Sequence, residues 1–121
     1  MWGHKPKIRP VDTLFSKYIR ERANWKCEVC GRDYSQEHQK LDCCHYKGRG
    51  RESTRFDPQN CIAACKGCHW KFHEDKRLHD EFMLKRLGQR DFDLLVLRSN
   101  SKGHKDDALT KLYIIKLTEE L

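Results

Sequence analysis

The 121-residue sequence has no long hydrophobic run. Nothing in it approaches the roughly 20 apolar residues of a membrane helix, so no membrane span is expected. The N-terminal stretch MWGHKPKIRP carries charges but no apolar segment, which predicts no signal peptide. Internal repeats and low-complexity tracts are also missing, which sets aside solenoids and linker-like chains. Apolar residues make up only 37% of the chain and charged residues 36%. That is a thin supply for the core of a short chain. A metal cross-link would compensate, because metal binding at a folded site is folding free energy. The length suits a single domain.

What the chain does have is positive charge and cysteine. Lys plus Arg number 25 against 18 for Asp plus Glu, a formal net charge of +7. This excess points to a polyanionic partner, nucleic acid first, or to a basic face that is simply solvated. The seven cysteines include two knuckles, Cys27-x-x-Cys30 and Cys65-x-x-Cys68. Each knuckle presents two thiolates on one turn, and two knuckles close a tetrahedral structural Zn2+ site. Gly31 permits the turn of the first. Zinc thiolates imply a reducing compartment, so a soluble cytoplasmic protein is expected.

Residues 1–11 read as a flexible basic arm, either a disordered tail or one whose Lys5, Lys7 and Arg9 touch phosphates. Residues 12–25 follow helical spacing through Leu14, Phe15, Tyr18 and Ile19, with Asp12 or Thr13 as cap. A short strand ends at Cys43, Cys44 and His45. A polar loop over 47–59 carries Lys47, Arg49, Arg51 and Arg55, and a second strand runs over 60–64. A helix follows from residue 66 to about 87, with a break expected near 74–76. Trp70, Leu78, Phe82, Leu84 and Leu87 are its expected core face, and Gly88 its cap. Two more helices are expected over 91–97 and 106–121, the last presenting Leu109, Leu112, Tyr113, Ile115 or Lys116, and Leu117 at helical steps. The class is α+β: a zinc-stapled ββα core over 12–90, an N-terminal helix within it, and a C-terminal helical extension over 91–121 packed on it.

His69 and His73 lie one helical turn apart, so their imidazoles can converge on one ion. His45 ends the first strand and Asn60 stands at the base of the loop. Singly, each has a plainer reading: His45 as a zinc ligand or a satisfied buried histidine, Asn60 as a turn cap, the helix histidines as surface residues. Cys61 reads as a small buried apolar residue.

Together, the spacing of His45, Asn60, His69 and His73 resembles that of the HNH nucleases of the ββα-metal (His-Me finger) superfamily, including the nuclease colicins. A fuller resemblance, over nearly the whole chain, is to phage recombination proteins of the NinG type. It is carried by LFSKYIRERANWKCEVCG, CCHYKGRG, TRFDPQNC, the second knuckle with His69, and RLG. The resemblance implies a metal-dependent endonuclease that hydrolyses DNA phosphodiester bonds during phage recombination or DNA processing, in a phage-infected or prophage-bearing cell. It makes His45 the general base and Asn60 the residue that fixes the loop and orients it. It makes His69 and His73 ligands of one catalytic divalent metal, Mg2+, Mn2+, Ni2+ or Zn2+. Cys44 stands where many HNH proteins place a further ligand, with Cys43 or water as alternatives. Lys47, Arg49, Arg51 and Arg55 would meet DNA phosphates, Arg51 or Arg55 also offsetting charge at the reacting phosphorus. Phage recombination or replication proteins are further candidate partners, for a monomer or weak dimer. Two rivals stay open: a non-catalytic zinc-ribbon DNA-binding module, and a recombination adaptor that docks through its C-terminal helices.

Overall fold

The computed structural model describes residues 6–121. Lys5, counted above with the basic arm, lies outside the described residues. Helix α1 spans Pro10–Arg22. A proline suits its first turn, where the missing N–H would be unpaired anyway. Asp12 accepts the Arg9 amide at 2.7 Å, closing the helix start from inside the first turn. Val11, Phe15, Tyr18 and Ile19 form its buried face. Beyond the helix and its cap, Ala23, stand two residues with left-handed backbone, Asn24 (φ 54°) and Trp25 (φ 58°). A tryptophan rarely adopts this conformation. Here its indole is stacked on His38 at 3.5 Å, with Arg20 on it at 4.9 Å. The turn delivers the chain into the first knuckle.

Strand β1 (Leu41–His45) pairs antiparallel with β2 (Cys61–Cys65), Leu41 opposite Cys65 and His45 opposite Cys61. All five residues of β2 are buried. The short sheet lies between α1 and α3 (Lys66–Glu74), which explains why β2 reads as a continuous apolar run. The chain is thus mixed helix and small sheet, the α+β class. The loop between the strands holds one helical turn, α2 (Glu52–Arg55), which its polar sequence did not announce.

Helix α4 (Lys76–Leu87) follows α3 after a single residue. That residue, Asp75, closes α3 and caps α4, accepting the Leu78 amide at 3.2 Å. The break corrects the expected core face. Trp70 is 55% exposed, and Leu78 and Leu84 are exposed too, whereas Phe72, His79 and Met83 are buried. A break resets the rotational phase, so positions that share one face of a continuous helix separate here. Gly88, at φ 81°, joins α4 to α5 (Gln89–Ser99). Helix α6 (Asp107–Glu119) packs on α1. It too corrects the expected face: Ile114 is fully buried, while Leu109, Leu112, Tyr113 and Ile115 are exposed. Apolar residues surround this helix, so their spacing alone does not choose a side.

The segment before α1 is tied down. Arg9 pairs with Glu52 at 2.7 Å and with Asp107, and the Lys7 carbonyl accepts from Arg55 at 2.9 Å. Arg9 therefore joins α2 to α6. No helix among the described residues is long and apolar enough to cross a membrane.

Candidate functional site

The first knuckle closes against the far end of β2. The sulfurs of Cys27, Cys30, Cys65 and Cys68 all lie within 4.8 Å of one another, with Cys30 and Cys65 at 3.9 Å. Zinc–sulfur bonds of about 2.3 Å in a tetrahedron set sulfurs about 3.8 Å apart, so the four thiolates fit one zinc. The amides of Cys30 and Cys65 both point at the Cys27 sulfur, at 3.4 Å each. Gly31 (φ 79°) supplies the left-handed turn. Burial pushes the Cys65 thiol up. Hydrogen bonds from the Cys68 amide and from neighbouring thiols and Tyr34 outweigh it and bring it down to about 6, which favours the metal-binding thiolate. Glu28 sews the knuckle to β2: its amide donates to the Ala63 carbonyl at 2.8 Å and its carboxylate accepts the Ala63 amide at 2.7 Å.

At the other end of the hairpin stands His45. Its Nε2 is 2.9 Å from the Arg55 carbonyl. A carbonyl oxygen only accepts, so Nε2 carries the hydrogen and Nδ1 the lone pair. Burial pushes the imidazole down to about 4, so the ring is neutral at pH 7 and its lone pair is available.

Asn60 is fully buried and spans the loop. Its amide donates to the Lys47 carbonyl at 2.8 Å and the Thr54 carbonyl at 3.1 Å, and its oxygen accepts the Lys47 amide at 2.8 Å. It thereby fixes both ends of the segment that presents the Arg55 carbonyl to His45. Arg55 is itself buried. It forms a two-pronged pair with Asp12 at 2.9 and 2.6 Å, and also donates to the carbonyls of Arg49 and Lys7. Its guanidinium is spent inside the fold, so it holds the loop rather than offering charge to a phosphate.

Alternate strand residues face opposite sides, and this divides the remaining ligand types. Asp42 and Cys44 face α3 and α4. Asp42 accepts from His69 Nδ1 at 2.9 Å and pairs with Lys66. Cys44 lies 4.0 Å from His79 Nε2, and burial pushes its thiol up to about 12. The ring of His73, on an exposed stretch of α3, lies 5.7 Å from that of Trp70. Cys43 and His45 face α1, and their ligand atoms and that of Cys61 all lie within 4.8 Å. Among the described residues, His45, Cys44, His69 and His73 therefore do not form one cluster. Cys61 is fully buried, as its sequence setting predicts, whereas Asp42 and His79 are absent from the sequence reading. Period two along the strand from Cys44 would have indicated Asp42; His79, beyond the helix break, gave no such signal.

A family model described as Bacteriophage Lambda NinG protein matches residues 4–116. The chain belongs to the NinG family. No curated protein and no solved structure matches it. In this NinG-family chain the matched span contains all four knuckle cysteines and His45, Asn60, His69 and His73. It also contains the basic loop. There Arg51 donates to the Ser99 carbonyl at 3.1 Å and to Asn100 at 2.9 Å, fastening the loop to the end of α5. Lys47 lies over the Tyr46 ring at 5.0 Å, and Arg49 is half-buried, its charge felt at His45 and Asp12. Of the four loop cations, Lys47 and Arg49 make no side-chain hydrogen bond among the described residues.

Proposed function

We propose that this NinG-family protein is a metal-dependent endonuclease of the HNH type, hydrolysing DNA phosphodiester bonds in phage recombination or DNA processing. One observation carries the reading. His45 is a neutral imidazole whose Nε2–H is committed to the Arg55 carbonyl, at the end of a basic loop that Asn60 pins. Nδ1 is then the atom that takes a proton from water, and Asn60 and Arg55 are positioning residues that hold the ring's tautomer and direction. On the opposite face Asp42 occupies His69 Nδ1, leaving Nε2 as the lone pair, the arrangement common for a metal-ligating histidine. His69 and His73 would hold the divalent ion, which supplies Lewis-acid stabilisation of a scissile phosphate and its leaving oxygen; because His45 and His69 lie on opposite faces of the sheet, that phosphate would have to reach round the end of β1 to meet both. Lys47 and Arg49 would contact the DNA backbone without reading bases.

The test is cleavage of supercoiled, linear and branched DNA by purified protein with Mg2+, Mn2+, Ni2+ or Zn2+ added, beside His45→Ala. The expected result is metal-dependent cutting that falls at least about a hundredfold in the variant, the lower range for losing a general base. The variant should keep its fold and most of its DNA binding. DNA binding without cutting, by folded zinc-loaded protein, would instead make it a zinc-ribbon binding module or adaptor.

A further inference from the structure

The three side chains beneath α1 at the loop end of the hairpin have no part in the four-cysteine site. His45 and Cys61 are directly opposite in the strand register, and Cys43 is two residues back on the same face as His45. Their three ligand atoms lie within 4.8 Å of one another. We propose that Cys43, His45 and Cys61 form a second metal site, selective for a soft divalent cation such as Zn2+.

Three features support it. A sulfur–sulfur–nitrogen donor set suits zinc and disfavours Mg2+. Three protein ligands leave one coordination position for water or an incoming donor, unlike the closed four-cysteine site. The hydrogen bond from Nε2 to the Arg55 carbonyl leaves His45 a single lone pair, held in direction as in ligating histidines. Access is from one side, since Cys61 is fully buried while Cys43 and His45 are half-buried. The Arg22 guanidinium donates to the Cys61 carbonyl at 2.8 Å and so fixes the strand at this ligand.

The site and the base use the same lone pair. If His45 is the general base, a claim that rests on the function proposed above, filling this site silences cleavage.

The test is zinc content after equilibration with buffered zinc, without DNA. Wild-type protein should hold about one ion more per chain than the Cys43→Ser/Cys61→Ala double variant, with circular dichroism unchanged. Cys43→Ser alone, at the more exposed position, should weaken the extra ion's binding at least about tenfold, on the scale of lost metal contacts. Equal zinc content in wild type and double variant would overturn the site. So would an unchanged affinity in Cys43→Ser, which guards against a double variant that fails to fold. Because no DNA is cut, this result and the cleavage result fail independently.

Discussion

The two ends of one hairpin are held by different chemistry. Where Leu41 faces Cys65, the end is closed by four sulfurs that two short turns supply. Where His45 faces Cys61, the end is held by hydrogen bonds and an ion pair whose partners run from Lys7 to Asn60. A metal site is compact and does not depend on its surroundings once its ligands converge. A polar network depends on every member, because a buried polar group that loses its partner keeps its desolvation cost. One end should therefore fail all at once on metal removal. The other should loosen by degrees.

Replacing a knuckle thiolate is the strongest test of that contrast. Structural zinc in small sites contributes about 10–16 kcal/mol at neutral pH, comparable to or above the 5–15 kcal/mol stability of a whole domain. Cys65→Ser should abolish the cooperative thermal transition and the bound zinc together. Metal analysis beside circular dichroism melting checks it; a folded, zinc-free variant would show that the thiolates are not the staple. Next in size is Arg55→Met. It leaves the Asp12 carboxylate buried without its partner, a loss of about 3–5 kcal/mol for a broken buried pair. Urea unfolding should show that loss while the zinc content stays the same. Adding Asp12→Leu should restore part of it.

This contrast also explains what was legible in the sequence. Two CxxC knuckles are local patterns with one dominant use, so the zinc end could be read from spacing alone. The strands, the break near Asp75 and the helix order followed from period and punctuation. The pair between Asp12 and Arg55 spans 43 positions, and no local pattern announces it. Arg55 consequently looked like one more loop cation. Sequence spacing also linked His45 to His69 and His73, but the pleat of β1 sends Cys43 and His45 to one face and Asp42 and Cys44 to the other. Spacing along a chain sets which residues can meet; the face on which a strand residue emerges decides which do.

Acid should separate the ends more gently. On the α3–α4 side, His79 lies flat against Phe72 at 4.5 Å and edge-on to Tyr46 at 4.9 Å. Burial, with Lys76 adding to it and Asp80 opposing, pushes this imidazole down to about 4. An unfolded histidine titrates near 6.5. The unfolded chain therefore binds the proton first, and stability is full above about pH 6.5 and falls as the pH drops towards 4. The loss should reach about 3 kcal/mol at 1.4 kcal/mol per pH unit. His79→Phe keeps the ring stacking and removes this titration. The fall in urea midpoint between pH 7 and 4.5 should be smaller in the variant than in the wild type, the remainder coming from His45 with the same sign and from acid release of metal at the four cysteines. An unchanged acid loss would mean that His79 is protonated without penalty.

The smallest effect concerns the loop cations and reads binding, not stability. Arg55 is locked to Asp12, and Arg51 is fastened to the end of α5, so neither should add much to a phosphate contact. Lys47 and Arg49 belong to the same loop, with the Lys47 amide held by Asn60 and the Arg49 carbonyl by Arg55. Neutralising a cation that meets a phosphate removes about 0.9 from the slope of log affinity against log salt on duplex DNA. Lys47→Gln and Arg49→Gln should each lower that slope by about this amount, equally on unrelated sequences. Arg51→Gln should change it less, and Arg55→Met should act chiefly through the fold. A slope that responds to Arg51 but not to Lys47 or Arg49 would mean that DNA approaches from the α5 side. The loop end of the hairpin would then be a structural closure like the zinc end, not the face that meets the substrate.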